Sequence, residues 1–313
     1  MKSLFMGTPE ISAVCLEAII DDGFDVIGAV TGEDKPRGRG YIMTPSAVKV
    51  CAQKHGIPVF QPKTLRDDAF TELLNEIKPD IIAVVAYGKI LPPSVIHFPT
   101  LGCVNIHVSL LPKYRGAAPM QRAIINGDKY TGVTAMYMDE GLDTGDIIES
   151  EQFPILDSDN FESIHDRSAE AGGKLLCRVL RLIGDGRAQR RKQGDDFTYA
   201  AKIEKSDCMI DFSKTSHETD CLIRGLSPIP LAFTKTPDGK LLKVISAHPV
   251  SGKGNPGEVI RLDDKNDGEG IVVATADGAI ALTTVIPEGK GKMSAADFIR
   301  GRKIKIGDIL KCI

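Results

Sequence analysis

The run GCVNIHVSLLPKYRGAAPMQRAIIN, Gly102–Asn126, decides how the rest of the chain is read. Cys103, Val104, Ile106 and Val108 are apolar and mostly β-branched, the composition of a buried strand. Asn105 and His107 interrupt it two residues apart, so both side chains leave the same face. The chain then breaks at Leu111-Pro112, turns through Arg115-Gly116 and resumes as a helix from Pro119. A polar pair at the end of a buried strand, facing a loop, stands where α/β sheets hold their ligands.

Working outward, the flanking segments supply such a sheet. Ser3–Met6 is an apolar run ending at Gly7-Thr8-Pro9, where a helix to about Ile20 begins, and Asp25–Thr31 is a second strand. Strand, helix and strand in that order make a parallel pair with a right-handed crossover. GTPEIS lacks G-x-G-x-x-G, so this turn implies no nucleotide. A helix is expected to start at Thr44-Pro45 and to end at His55-Gly56, with His55 a helix-end residue and not a ligand. Asp67–Ile77 is amphipathic, and DIIAVVA, Asp80–Ala86, is continuously apolar, as a central strand covered on both faces must be. His97, in a Pro-flanked connector, reads as structural. Thr131–Asp139 and Ile147–Pro154 are further strands, and Phe161–Ile183 is a long amphipathic helix. The fold class expected is α/β: a doubly wound, mostly parallel Rossmann-like sheet over residues 1–183.

From 184 to 205 the composition turns polar, with the basic run Arg190-Arg191-Lys192, and reads as a linker. From 206 to 313 short strands with Gly/Asp turns predominate, which predicts a small antiparallel OB-like barrel closed by a helix at Ser294–Gly301. The net charge is −3, so a nucleic-acid partner would have to be met by local basic patches rather than bulk charge. One such patch is the long segment Gly32–Tyr41, expected as a mobile loop, with Lys35, Arg37 and Arg39 among its glycines. Another is the late cluster Lys290, Lys292, Arg300, Arg302, Lys303 and Lys305. Seven cysteines, an odd number with no CxxC pair, argue against a disulfide framework or a zinc ribbon and for a reducing compartment. No apolar run is long enough to span a membrane, so a cytoplasmic location is expected, with no metal.

The chemistry centres on Asn105, His107 and Asp143, the last flanked by Gly141 and Gly145. An Asp beside an imidazole fixes its tautomer and favours a protonated, donor-capable ring. An amide has no useful titration and serves as an N–H donor to a developing oxyanion. With no Ser or Cys nucleophile in place, the set suits direct attack on a carbonyl by an external nucleophile. Cys103 shares the strand face, but apolar surroundings keep a thiol protonated and inert. Spacing alone names no substrate.

NIHVSLLPKYRGAAPMQRAIINGD resembles the signature of the folate-dependent formyltransferases, in which Asn-x-His precedes an SLLP-type loop and a distant Asp-bearing segment completes the site. RGAAPMQRAI, MDEGLDTGDII and DKPRGRG are similar to the forms found in members that act on an aminoacylated initiator tRNA. IDFSKTSHETDCLIRGLSPIP resembles the start of their C-terminal domain, with Ser227-Pro228-Ile229-Pro230 where an Asn-Pro-Trp-Pro type segment is more usual. The resemblance implies that Asn105 donates to the formyl oxygen while His107, held by Asp143, stabilises the oxyanion. It implies that Ser109, Leu110, Leu111 and Pro112, with the backbone about Val85, Tyr87 and Gly88, cradle the pterin of 10-formyltetrahydrofolate. The nucleophile implied is the α-amine of methionyl initiator tRNA, gripped by Arg39 with Lys35 and Arg37. Rival readings are a formyltransferase for a small amine, such as glycinamide ribonucleotide or an amino-sugar nucleotide, an NAD(P)-dependent dehydrogenase, and a catalytically silent RNA-binding adaptor.

Overall fold

The computed structural model describes residues 1–37, 41–265, 268–301 and 303–311, Arg37 by its backbone alone. The chain divides into two compact units. The first comprises Met1–Pro119, Thr131–Phe153 and His165–Ala200; the second comprises Met120–Tyr130, Pro154–Ile164 and Ala201–Ile313.

The elements of the first part of the chain are β1 (Lys2–Gly7), α1 (Glu10–Asp21), β2 (Asp25–Val30), β3 (Lys35–Arg37), β4 (Ile42–Thr44) and α2 (Ala47–Lys54). They are followed by β5 (Val59–Phe60), α3 (Asp68–Ile77), β6 (Ile81–Val85), α4 (Pro93–Ile96), β7 (Cys103–His107) and β8 (Arg115–Gly116). Then come α5 (Pro119–Ile125), β9 (Tyr130–Tyr137), β10 (Ile147–Pro154), α6 (Phe161–Gly184) and β11 (Tyr199–Ala200). The main sheet runs β10-β9-β7-β6-β1-β2-β5. Its pairs from β5 to β7 are parallel, and β9 lies antiparallel to β7.

Alternation along the strands sorts the core into two layers. Phe5, Ala83, Val85, Val104 and Ile106 pack with Leu16 and Ile19 of α1, Val48 and Cys51 of α2, and Leu175 and Val179 of α6. Leu4, Met6, Ile82, Val84 and Cys103 pack with Phe70 and Leu74 of α3 and with Val95 and Ile96 of α4. Helices on both faces make the sheet doubly wound, and all five β6 residues are buried.

The strand ends where ligands gather are tied together locally. A Cβ on Gly7 would lie 2.8 Å from the Val85 carbonyl, so only glycine lets the β1–α1 turn sit against the end of β6. Ser12 Oγ donates to the Val85 carbonyl at 2.6 Å and Thr8 Oγ1 to the Tyr87 carbonyl at 3.2 Å. This close packing accounts for Gly7 with no nucleotide.

Three local expectations are corrected. Gly32–Tyr41 is not simply a loop: Lys35–Arg37 pairs antiparallel with Ile42–Thr44 as a hairpin. Its root is anchored by Lys49 on Asp34 at 2.8 Å and by Gln61 on the Gly32 carbonyl at 2.7 Å. Thr44 ends β4, and α2 starts two residues later than expected because Ser46, not Thr44, accepts the capping N–H of Lys49. Much of the stretch read as a linker, 184–205, runs along the first unit: Arg191 bridges to Ile147, and Tyr199–Ala200 pairs with Arg115–Gly116.

In the second unit a 3₁₀ turn (Lys205–Cys208) leads to α7 (Ser216–Leu226), capped reciprocally by Thr215 and Glu218. The strands are β12 (Ala232–Lys235), β13 (Leu241–Val250), β14 (Val259–Leu262), β15 (Ile271–Ala274), β16 (Ala279–Pro287) and β17 (Met293–Ser294), followed by α8 (Ala295–Arg300). The order is β12-β13-β16-β15-β14, every pairing antiparallel, with β17 added to β16. The edges meet through the tail: Lys311 bridges to Lys235 at β12, and Ile309 to Glu258 beside β14. The barrel encloses Phe212, Leu242, Val244, Ile271, Val273, Ile280, Leu282 and Phe298. Ile229, standing where the resemblance makes Trp more usual, is 69% exposed.

Candidate active site

β7 delivers Asn105 and His107 on the sheet face that also carries Cys103, as parity requires. His107 is 6% exposed and Asn105 is half-buried. The Asn105 amide makes no hydrogen bond to the described residues, so both of its N–H groups remain for a ligand. His107 Nε2 lies 2.9 Å from the Tyr114 carbonyl. A carbonyl can only accept, so Nε2 carries a proton. Nδ1 lies 3.6 Å from Asp143 Oδ2, an ion-pair distance too long for a direct hydrogen bond. The ring is therefore steered by a backbone carbonyl, and Asp143 contributes charge. Nδ1 is left without a direct hydrogen bond to Asp143.

Asp143 sits in the left-handed region at φ +53, a conformation costing a non-glycine residue about 1–2 kcal/mol. Several contacts hold it. Gly116 N–H donates to Oδ2 at 2.8 Å. Gln193 Nε2 donates to the carbonyls of Asp143 and Gly145, both at 2.8 Å. Gln193 Oε1 accepts from Arg115 Nε at 3.0 Å and from its terminal nitrogen at 2.7 Å. Arg115, 6% exposed, lays its guanidinium over the Phe197 ring at 4.5 Å. Gly145 has a separate reason to be glycine, since a Cβ there would come within 1.7 Å of the Tyr137 carbonyl.

The loop after β7 is internally bonded. Ser109 Oγ donates to the Lys113 carbonyl at 2.7 Å. Thr134 Oγ1 donates to the Ser109 carbonyl at 2.7 Å and accepts from Leu111 N–H at 3.2 Å. Ser109 is fully buried, Leu111 packs on Met136 and Ile147, and Leu110 and Pro112 are half-buried. Val85 and Tyr87 are core residues, and the Tyr87 hydroxyl is buried without a hydrogen-bond partner among the described residues. Gly88 is exposed at φ +82. Of the residues expected to cradle a pterin, only Leu110, Pro112 and Gly88 thus present substantial surface. Burial pushes the Cys103 thiol up to about 12, which leaves it protonated and inert at neutral pH.

A cavity of about 510 Å³ opens on the same face, lined by Ile96, His97, Cys103, Tyr137, Arg190 and the Met138–Gly141 segment. His97, expected to be structural, stands at this cavity about two-thirds exposed, with Nε2 3.6 Å from Glu140. Arg190 stacks on Tyr137 at 3.7 Å from the ring centroid. Lys35 is exposed on β3, while the Arg37 side chain and Arg39 lie outside the described residues.

Sequence reasoning missed Gln193, Arg115, Arg190 and the Tyr114 carbonyl. Arg115 stood inside the opening motif and carried a signal. Gln193 was one polar residue in a polar stretch and carried none.

Comparison with known proteins agrees with this architecture. Residues 1–180 match the formyl transferase family model, and residues 202–303 match that of the formyl transferase C-terminal domain. The chain is 44% identical over 311 residues to methionyl-tRNA formyltransferase of Geotalea uraniireducens, covering 99% of this chain and 98% of that one. It is 44% identical over 310 residues to the enzyme of that name from Syntrophus aciditrophicus, covering 98% of each. An N-formyltransferase from Helicobacter canadensis, solved with folinic acid and dTDP-3-aminofucose, shares the fold at TM-score 0.66 and 22% identity, over 90% of this chain and 98% of that one. The chain belongs to the formyltransferase family, among the methionyl-tRNA formyltransferases.

Proposed function

We propose that the chain moves the formyl group of 10-formyltetrahydrofolate onto the free α-amine of methionyl initiator tRNA. The observation that carries this reading is the Asn105–His107–Asp143 set at the end of β7, with an unengaged amide and no competent side-chain nucleophile beside it. Such a set can polarise a carbonyl but cannot itself attack one.

The cavity is proposed to take the pterin. Ile96, Cys103 and Met138 give it an apolar wall, Tyr137 and Arg190 a flat stacked pair, and Asp139–Gly141 a run of peptide groups for the amino-pyrimidine edge. It lies on the sheet face that carries Asn105 and His107. Val85, Tyr87 and Ser109 do not line this cavity and would act on the donor only through the backbone they support. Leu110, Leu111, Pro112 and Gly88 would bound the remainder of the donor.

When bound, the folate supplies a formyl carbon on a nitrogen that can depart. Asn105 donates an amide N–H to the formyl oxygen, and His107 stands beside it on the same strand face to stabilise the negative charge that develops. Asp143 places its carboxylate 3.6 Å from Nδ1, facing any proton carried there. The attacking amine sheds one proton as the departing nitrogen gains one, and Nδ1, with Nε2–H spent on the Tyr114 carbonyl, can take up that proton and return it. The amine must be neutral to attack, and the rate should fall at low pH.

Lys35, Arg37 and Arg39 are proposed to grip tRNA phosphates. The hairpin carrying Lys35 also exposes Tyr41, Ile42 and Met43, at 80, 71 and 59%. Apolar surface beside basic residues suits stacking against a nucleic acid. The C-terminal barrel, a fold that often binds nucleic acids, is proposed as a second tRNA contact.

The test offers 10-formyltetrahydrofolate with charged initiator tRNA, charged elongator methionine tRNA or small amines. Formylation of the initiator is expected. Formylation of the small amines alone would overturn the acceptor.

A further inference from the structure

We propose that Glu17, Cys51 and His55 form a Zn²⁺ site between α1 and α2. Cys51 and His55 are four residues apart at the end of α2, so both side chains face α1. Glu17 reaches them from α1. Its Oε2 is 3.1 Å from Cys51 Sγ, and its Oε1 is 3.0 Å from His55 Nε2. All three donor atoms lie within 4.8 Å of one another.

Zinc takes sulfur at about 2.3 Å and nitrogen or oxygen at about 2.0–2.2 Å, which places tetrahedral donors roughly 3.4–3.6 Å apart. The observed separations, 3.0 and 3.1 Å from Glu17 and at most 4.8 Å overall, bracket that spacing. Thiolate, imidazole and carboxylate together are a zinc set, not a calcium or magnesium set. Cys51 is buried, His55 is 24% exposed and Glu17 33%, so the fourth position opens to water. Asp21, one turn further along α1, is near enough for its charge to act on Cys51 and Lys54.

The place already attracts a cation. Lys54 Nζ lies 2.8 Å from Glu17 Oε1, the same oxygen that faces His55, and its side chain is 66% exposed. Lys54 stands where a metal would neutralise the carboxylate, and it can swing into solvent. On binding, the Cys51 S–H bond breaks, its proton goes to solvent and a Zn–S bond forms. His55 ligates through Nε2 as neutral imidazole, and one proton is released per ion. The reading of His55 as a helix-end residue alone misses this because Glu17 is 38 residues distant in sequence.

The test uses the full chain stripped with chelator. Zn²⁺ is titrated by calorimetry, and Co²⁺ by visible absorption. One ion per chain is expected, with a thiolate-to-cobalt charge-transfer band and tetrahedral d–d bands. Cys51→Ser and His55→Ala should each abolish both signals while far-UV circular dichroism stays unchanged. Lys54→Met, an exposed substitution, should tighten zinc by about two- to fivefold, the value of one exposed ion pair. The absence of saturable binding, or binding of equal affinity in Cys51→Ser and His55→Ala, would overturn the proposal.

Discussion

Removing the Gln193 side chain should disable the site without unfolding the chain. In Gln193→Ala the Asp143 and Gly145 carbonyls lose one donor each, at about 0.5–1.5 kcal/mol per bond. The buried Arg115 loses two bonds to Oε1 but keeps Phe197 beneath it. Against the remaining Gly116 tether stands the cost of holding Asp143 at φ +53, about 1–2 kcal/mol. The balance tilts the loop out of its competent form by roughly 1–3 kcal/mol, so kcat/KM for formylation should drop about fivefold to 150-fold. Gln193→Glu separates positioning from general stability. It keeps an acceptor for Arg115 but sets a carboxylate oxygen against two carbonyls, so it should lose as much activity as Gln193→Ala while melting closer to the parent. Initial rates with charged initiator tRNA and thermal midpoints, measured on the same preparations, decide it. A Gln193→Glu variant with the parent's kcat/KM would refute the positioning argument.

Gly145→Ala drives a Cβ into the Tyr137 carbonyl and should lower both the melting temperature and kcat, with Gly88→Ala, which meets nothing within 4 Å but keeps its positive φ, as the milder control. Glu17 is held at about 2, against an ordinary 4.5, first by its bond to Lys54 and then by that to Cys51. The link between α1 and α2 is therefore complete above pH 4.5 and is lost as pH falls toward 2, so acid unfolding of Glu17→Gln should be flatter across that window than the parent's. Lys35→Ala and Arg39→Ala should each raise KM for tRNA, leave folate binding unchanged, and reduce the salt slope of tRNA affinity by about one. A salt slope equal to the parent's would remove both residues from the interface.

The sheet was legible because its strands carry their own periodicity. DIIAVVA could only be a strand covered on both faces, and the parity of Asn105 and His107 placed them on one side of β7. Asp143 was legible through its flanking glycines. What was hidden lay in backbone groups and in distant partners. The Tyr114 carbonyl that steers His107 has no side-chain signature. Gln193 sits in a polar stretch that reads as solvated, yet its amide is spent on two carbonyls and a buried guanidinium. The two-residue strand at Tyr199–Ala200 is too short for any period to show. At Thr44-Pro45 a plausible helix start lost to Ser46 because β4 holds Thr44 in extended backbone.

The tail bridges at Lys235 and Glu258 give the C-terminal barrel a seam that closes last. The residues that join its two edges, Ile309 and Lys311, emerge from the ribosome after every strand they connect. Until they arrive, β14 presents peptide groups without partners and the end of β12 at Lys235 does too, beyond the bridge that Met209 makes to Phe233, the kind of edge that recruits other chains. Trimming the chain before Asp308 would make that transient condition permanent, opening the seam and removing Leu310 from the barrel core.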